Sequence, residues 1–264
     1  AHAFLEAADL DPLDQFLVPD YGAREMAAWC RNTFNAEVDP AVLAACEDIA
    51  DAVTKVMDEA RAAYRRREVE YPVEFALQMT GAQLAQDPQR AIEQFCTWAR
   101  FRYELDWTPE TLPTTRSDEL AGLLMEEAGR WDDAKVADRV RRGLAAAGGD
   151  LEKLEAWLAE NAGTRLSAED RERFATDPEG LVDERIRGVL RTELTQFERW
   201  VLLQIVDQAW KDHLYAVDQL RESIGFRSFS QRDPRIEFKR EAARLFEEME
   251  SGIRDKVTDL VFKG

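Results

Sequence analysis

The sequence predicts an all-α protein: a body of short helices plus a long antiparallel two-helix hairpin. Apolar residues recur every three or four positions along most of the chain, and no segment shows the alternation of β-branched residues that is typical of strands. Several apolar runs also follow an Asp-Pro pair, in which the aspartate can cap free N–H groups and the proline fits the first helical position. The pairs that predict helix starts are Asp39-Pro40, Asp87-Pro88, Asp177-Pro178 and Asp233-Pro234.

The helices of the body are predicted from the Asp39-Pro40 pair onward. The first helix is expected to run to about Glu68 and to be interrupted at Tyr71-Pro72, because proline removes a donor and disfavours helix in the residue before it. Further helices are expected from Pro88, from Ser117, over 132–147, over 151–161 and from Pro178, with a loop over 107–115. The element that starts at Pro178 is expected to continue unbroken into the hairpin.

The hairpin is predicted from two amphipathic runs that flank a short basic loop. The apolar face of the first arm consists of Val206, Trp210, Leu214, Val217, Leu220 and Ile224. The face of the return arm consists of Phe238, Ala242, Leu245, Met249, Ile253, Val257 and Leu260. Gly225 supplies the backbone freedom for a reversal between the arms. These faces are expected to meet in one seam.

Composition and charge narrow the functional classes. The chain has 264 residues, 45% hydrophobic and 33% charged, with a net charge of −18. Residues 1–190 hold 22 basic and 39 acidic residues, whereas residues 191–264 hold 13 and 14. Because an acidic body repels phosphate backbones, nucleic-acid binding is not expected. Neither a bilayer-spanning run nor an export signal is evident.

Cys30, Cys46 and Cys96 lack paired spacing and are expected to be buried reduced thiols, with no metal site.

The hairpin carries a family resemblance. The run 210–241, WKDHLYAVDQLRESIGFRSFSQRDPRIEFKRE, resembles the two-helix finger of the SecA preprotein translocase ATPase. The matching features are Trp210, the pair His213-Leu214, the pair Leu220-Arg221, the loop 226–234 and the helix start 237–241. The resemblance covers about the last seventy residues. A second stretch, YGAREMAAWCRNTFN at 21–35, resembles the segment that opens the helical wing domain of that family.

The resemblance implies a division and an activity. Residues 1–18 would end a scaffold segment, 19–190 would form an enlarged helical wing domain, and 191–264 would form the finger of the helical scaffold. The chain has no phosphate-binding GxxxxGK[ST] loop. It would therefore be a wing and scaffold fragment without its own ATP site or catalytic residues, and ATP and Mg²⁺ would belong to missing motor domains. The whole protein would drive unfolded secretory proteins through a SecY-type channel.

The resemblance also implies partners and contact residues. The partners would be the channel, the unfolded preprotein, the nucleotide-binding domains of the same protein and an anionic lipid surface, at the cytoplasmic face of the bacterial cell membrane. Contact with the polypeptide or channel would come from the finger tip: Phe229, Arg227, Ser228, Ser230, Gln231 and Arg232. Docking to the motor would come from Trp210, His213 and Arg221.

Plainer interpretations of the same residues stay open. The tip phenylalanines Phe226 and Phe229 would alternatively fold back over the helix ends, and Trp200 and Trp210 would alternatively be core residues. The alternative for four arginines is that they are solvated cations: Arg221, Arg227, Arg232 and Arg235. His213 has no carboxylate or second ligand three or four residues away, which favours a structural imidazole that is hydrogen-bonded at the hairpin seam.

Two other functional classes compete with the family interpretation. One is a free-standing acidic helical adaptor that binds another protein through the hairpin; it would have no nucleotide-binding sequence upstream. The other is an all-α hydrolase with paired carboxylates. Adjacent acids such as Glu126-Glu127 and Asp132-Asp133 diverge around a helix instead of converging on one site, which disfavours a hydrolase.

Overall fold

The predicted all-α class is confirmed. The computed structural model describes residues 16–224 and 233–263, and this part contains eleven α-helices and no strand. In chain order they are α1 (Tyr21–Phe34), α2 (Pro40–Ala44), α3 (Ile49–Leu84), α4 (Pro88–Tyr103), α5 (Ser117–Gly129), α6 (Asp133–Ala147), α7 (Leu151–Ala162), α8 (Ala168–Phe174), α9 (Pro178–Leu190), α10 (Thr192–Ile224) and α11 (Pro234–Lys263). Among these helices, none combines the length and the apolar character that a membrane span requires.

The chain packs as two compact units. The hairpin unit contains the described residues up to Arg66 together with those from Glu198, and the body unit contains Arg67–Phe197. The divisions fall inside α3 and α10. This grouping reflects which residues contact one another, whereas the division at residues 18 and 190 follows family resemblance and stays a prediction.

The helix starts predicted from Asp-Pro pairs are confirmed. Asp39 accepts a hydrogen bond from Ala41 N at 2.8 Å, Asp87 from Arg90 N at 3.1 Å and Asp177 from Gly180 N at 2.9 Å. In each case the proline occupies the first turn. These carboxylates bond amide groups that have no partner inside the helix, so the local sequence sets the start.

Two predicted helix boundaries are wrong at the start of the chain. The helix from Pro40 ends at Ala44, and α3 begins anew at Ile49, where Asp48 accepts a hydrogen bond from Asp51 N at 2.8 Å. The predicted interruption at Tyr71-Pro72 does not occur, because α3 continues through Pro72 to Leu84. Pro72 and Val73 are fully buried in the body unit. Their burial offsets the roughly 3 kcal/mol that an internal proline costs a helix.

The predicted continuous helix from Pro178 into the hairpin is also wrong. At Arg191 the backbone leaves the helical region, with φ −120° and ψ 17°, so α9 and α10 are separate. The Thr192 hydroxyl donates to the carbonyl oxygen of Gly188 at 2.8 Å. A threonine that satisfies a carbonyl at the end of a helix lets the chain change direction there.

The body unit has a core of closely packed apolar side chains. One cluster includes Val136, Val140, Leu154, Leu158, Leu181, Val182 and Ile186. A second includes Val73, Phe95, Tyr103, Leu120 and Leu124. Trp131 and Leu190 pack against both clusters, so the helices of this unit share one interior.

Arg139 links the ends of two helices inside the body unit, and its side chain is 0% exposed. Its Nη2 donates to the carbonyl oxygens of Phe101 at 2.8 Å and of Asn161 at 2.6 Å, near the ends of α4 and α7. Its Nε lies 3.2 Å from Glu104 Oε1. One guanidinium thus satisfies carbonyls that helix ends leave without partners.

A second buried arginine lies close by. Arg102, only 3% exposed, pairs with Glu193, which also accepts a hydrogen bond from Trp98 Nε1 at 2.8 Å. Burial raises the pKa of the neighbouring Tyr103 to about 12. The Tyr103 phenol therefore stays neutral at physiological pH, and the charged groups beside it are Arg102 and Glu193.

The cysteines are free, as predicted, but they are not all buried. Cys30 and Cys96 are buried, and burial raises the pKa of both thiols. Cys46 is half-buried, which corrects the expectation for this residue. It lies just beyond α2, and its thiol donates to the carbonyl oxygen of Val42 at 3.3 Å.

Candidate interaction surface on the helical hairpin

Side-chain contacts at two levels show that α10 and α11 run antiparallel within the hairpin unit. His213, in the outer half of α10, has its ring centroid 5.8 Å from that of Phe246 in α11. Farther from the loop, the Tyr64 hydroxyl donates to Glu198 on α10, and the Tyr64 ring lies 5.9 Å from Phe262 on α11. Residue numbers rise along one arm as they fall along the other, so the predicted hairpin is confirmed.

The return arm begins as its sequence predicts. Asp233 accepts a hydrogen bond from Arg235 N at 2.9 Å, and Pro234 is the first residue of α11. Gly225 and the six predicted tip contacts lie outside the described residues, so their roles stay predictions. The six are Phe229, Arg227, Ser228, Ser230, Gln231 and Arg232.

The buried seam of the first arm differs from the predicted face. The least exposed positions of α10 along the hairpin are Val201, Ile205, Ala209, His213, Ala216, Val217 and Leu220. Of the predicted face, Val217, Leu220 and Ile224 are buried or half-buried, as expected. Val206, Trp210 and Leu214 are exposed, and the residue before each of them is less exposed, which corresponds to a rotation of about 100°. Ala209 and Ala216 are small and half-buried on this face. The predicted face of the return arm is half-buried as expected, except at Leu260, which is exposed.

The rotation leaves a stripe of large apolar side chains on the surface of α10. We call Leu203, Val206, Trp210 and Leu214 the exposed stripe. Leu203 is 61% exposed, Trp210 47% and Leu214 48%. Trp200 is 57% exposed. The core interpretation of Trp200 and Trp210 is therefore wrong. Large apolar residues that recur on one helix face in this way are typical of protein-binding surfaces.

His213 lies between the stripe and the return arm. The ring centroids of His213 and Trp210 are 5.8 Å apart. The His213 ring meets the Phe246 ring edge to face, with an angle of 73° between the ring planes. The predicted position at the seam is confirmed. The predicted hydrogen bond is absent at Nδ1, which is buried without a partner among the described residues. Within this part of the chain, no cluster of three or more His, Cys, Asp or Glu side chains could hold a metal ion.

Charged side chains surround the loop end of the hairpin. Arg221 and Arg235 are exposed on the two arms, whereas Arg240 pairs with the buried Glu237 at 2.5 Å. Residues 221–244 hold 7 basic and 4 acidic residues. The loop end therefore has a positive local charge on an otherwise acidic chain.

Sequence reasoning named Trp210, His213 and Arg221, and the structure puts all three on the outer half of α10. It missed the stripe as a surface, because it assigned Val206, Trp210 and Leu214 to the seam and gave Leu203 no role. The signal that was available is the spacing of the alanines. Ala209 and Ala216 recur at seven residues on one face, beside a stripe of larger side chains.

Comparisons with known proteins identify the family. Residues 116–264 match the family described as the SecA wing and scaffold domain. The chain is 32% identical to "Protein translocase subunit SecA 1" of Rhodopirellula baltica over its whole length, which covers 23% of that relative. It is 37% identical to "Protein translocase subunit SecA" of Deinococcus radiodurans over 42% of this chain and 13% of the relative.

A third relative, "Protein translocase subunit SecA" of Elusimicrobium minutum, is 43% identical over 26% of this chain and 8% of the relative. No solved structure matches the chain significantly. The chain spans less than a quarter of the length of these relatives. The match over more than half of the chain, together with a hairpin of the predicted architecture, shows that the chain belongs to the SecA wing and scaffold family.

Proposed function

We propose that this chain is the helical wing and scaffold part of a SecA-type protein translocase that uses ATP to move unfolded secretory proteins. The observation that carries the proposal is the exposed stripe, which lies on the hairpin inside the family match. Water-exposed Trp and Leu side chains in a row are unfavourable unless another surface covers them. The relatives are named protein translocase subunits, which supports translocation as the purpose of that surface.

The partner proposed for the stripe is the set of nucleotide-binding domains of the same protein. Trp210 would be the main anchor, since tryptophan buries a large area at interfaces and often dominates their binding energy. His213 would hold the Trp210 ring in place from the seam, and Arg221 would pair with a carboxylate of the motor. ATP and Mg²⁺ would be bound by those domains, and this chain would supply no catalytic residue.

The hairpin is long enough to act as a lever. The 33 residues of α10 and 30 residues of α11 correspond to rods of about 50 and 45 Å at 1.5 Å per residue. Movement at the docked end would reach the tip, where Phe229 would grip the unfolded preprotein by apolar contact that does not read its sequence. Arg227, Ser228, Ser230, Gln231 and Arg232 would contact the preprotein or a SecY-type channel.

The same proposal gives a location. The chain would work at the cytoplasmic face of the bacterial cell membrane as a peripheral protein. The positive loop end of the hairpin supports contact with acidic channel loops or an anionic lipid surface, because both attract exposed arginines such as Arg221 and Arg235. The acidic composition of the chain argues against a nucleic-acid partner.

The docking role is tested with Trp210→Ala. We expect the variant to weaken binding of this chain to separately produced nucleotide-binding domains by about 30-fold in calorimetry, as an interface anchor does. Tyr215→Ala is the matched control, because Tyr215 is exposed on the same helix outside the stripe. Equal affinities for both variants would show that the stripe does not dock the motor.

The tip role is tested with Phe229→Gly in the full-length protein. Transport of a secretory precursor into inverted membrane vesicles should fall by at least about tenfold, because one aromatic contact is lost. Phe229→Tyr keeps the ring and should retain transport. A Phe229→Gly protein that transports normally would refute the tip assignment and leave the docking proposal intact.

A further inference from the structure

The body unit contains an apolar pocket that the proposed function does not use. The pocket has a volume of about 130 Å³ and lies between the last turns of α3, the start of α4, the loop before α5 and the first turn of α5. Six large apolar side chains line it: Leu77, Leu84, Ile92, Phe95, Leu112 and Leu120. A buried apolar cavity of roughly 150 Å³ accepts a benzene molecule, so this pocket has room for one leucine-sized or phenyl side chain.

The pocket is open to a partner. Leu84 is 41% exposed, and Gly81, which also lines the pocket, has no atom within 4 Å of the position that a Cβ would take. The hydroxyl of Thr80 in the lining is already used, since it donates to the carbonyl oxygen of Ala76 at 2.7 Å. The accessible wall is therefore mainly hydrocarbon, which favours an aliphatic or aromatic group over a polar one.

The charges beside the pocket define the partner further. The two segments that contain the lining residues, 77–95 and 112–120, hold 4 acidic and 2 basic residues. One of the basic residues, Arg116, is already paired with Asp118 at 2.7 Å and Glu119 at 3.0 Å. A cationic segment is attracted to this surplus of carboxylates, whereas an acidic one is repelled.

We propose that this pocket binds a segment of a separate protein chain in which a bulky apolar residue is flanked by lysine or arginine. The apolar side chain enters between Leu84 and Ile92 and beside Leu112, and the carboxylates of the two neighbouring segments attract the flanking cations. The apolar anchor gives the affinity, and the charges select the partner and orient it. This inference does not depend on the docking or tip roles of the hairpin.

The test uses a fluorescein-labelled peptide of two leucines flanked on both sides by lysines, titrated with the 264-residue chain. Gly81→Leu fills the pocket from its own wall, and replacement of a helical glycine favours the helix, so the variant should fold. Binding should weaken by at least about tenfold, the value expected when a leucine side chain loses its buried site. Gly122→Leu is the matched control, because Gly122 is an open helical glycine of α5 outside the lining; it should change the affinity less than about twofold.

Two further peptides separate the apolar and the charge contributions. Replacement of the leucines by serine should weaken binding by at least about tenfold, and replacement of the lysines by glutamate should abolish it. Methyl NMR signals of Leu84 and Leu112 should shift with the leucine peptide. The proposal is overturned if the wild-type chain does not bind the leucine peptide, if Gly81→Leu binds it normally, or if the serine peptide binds equally well.

Discussion

The body unit and the hairpin unit use the same apolar periodicity for opposite purposes. In the body unit, leucines at helical spacing such as Leu154 and Leu158 are fully buried among several helices. In the hairpin unit, Leu203 and Leu214 have the same kind of spacing, and both are about half exposed or more. The period of a helix shows that one face is apolar, but only its neighbours decide whether that face is covered.

Buried polar groups distinguish the two regions as well. The body unit encloses Arg139 and Arg102, each with partners that depend on several helices. Along the hairpin, the described charged pairs are mostly between neighbours on one helix, such as Lys211 with Asp207 at 2.6 Å. We infer that the body unit depends on long-range contacts for its stability, whereas the hairpin keeps a surface available for partners.

The largest effect is expected at Arg139. Arg139→Met leaves the carbonyl oxygens of Phe101 and Asn161 without their donor and should lower the free energy of unfolding by about 3–5 kcal/mol. Urea denaturation monitored by circular dichroism measures the change. Arg141→Met is the control, since Arg141 is on the same helix, is 72% exposed and pairs only locally with Asp138. A loss below about 1 kcal/mol at Arg139 would contradict the capping role.

The next prediction compares the cost of a Leu→Ala substitution in the body unit with its cost in the hairpin unit. Leu158→Ala should destabilise the chain by about 3 kcal/mol, because it leaves a cavity in a closed core. Leu214→Ala removes the same atoms from the exposed stripe and should cost about 0.5 kcal/mol or less. Chemical denaturation of both variants under identical conditions gives the difference. Similar losses would mean that the stripe is covered within this chain.

The smallest effect concerns two glycines. Gly163 ends α7 with φ +62°, and an added Cβ would lie 2.6 Å from the Phe101 ring, so Gly163→Ala should cost about 1–3 kcal/mol. Gly252 lies inside α11 with open space around it, and Gly252→Ala should stabilise the hairpin by about 0.5–1 kcal/mol. Thermal unfolding midpoints that move in opposite directions would support this contrast. A loss at Gly252 would indicate that another segment packs closely there.

Local sequence signals predicted the helix starts well. Asp87, Asp177 and Asp233 each accept a hydrogen bond from an amide two or three residues away. These helix starts can therefore be predicted without knowledge of any distant partner. The predicted helix interruption at Pro72 was wrong for the opposite reason. The cost of a proline in a helix is local, but the burial that offsets it depends on helices far away in the sequence.

The candidate site was predicted in part. The hairpin and the outer half of α10 followed from periodicity and family resemblance, and the structure confirms that His213 lies at the seam, whereas Trp210 of the predicted seam is exposed. The predicted seam was right at Val217, Leu220 and Ile224 near the loop, and wrong by one residue farther from it, where Ile205, Ala209 and His213 are less exposed than the larger neighbours. No periodicity argument can make that choice, because both faces are apolar.

The sequence by itself determined the all-α class, most helix limits and the family of the hairpin, because caps, prolines and helical periods act within a few residues. Tertiary structure alone decided which apolar face is covered, where Arg139 finds its carbonyl partners and that a pocket opens beside Gly81. Those features depend on the shapes and distances of helices that are remote in sequence. Packing energies are summed over such contacts and cannot be read from one helix at a time.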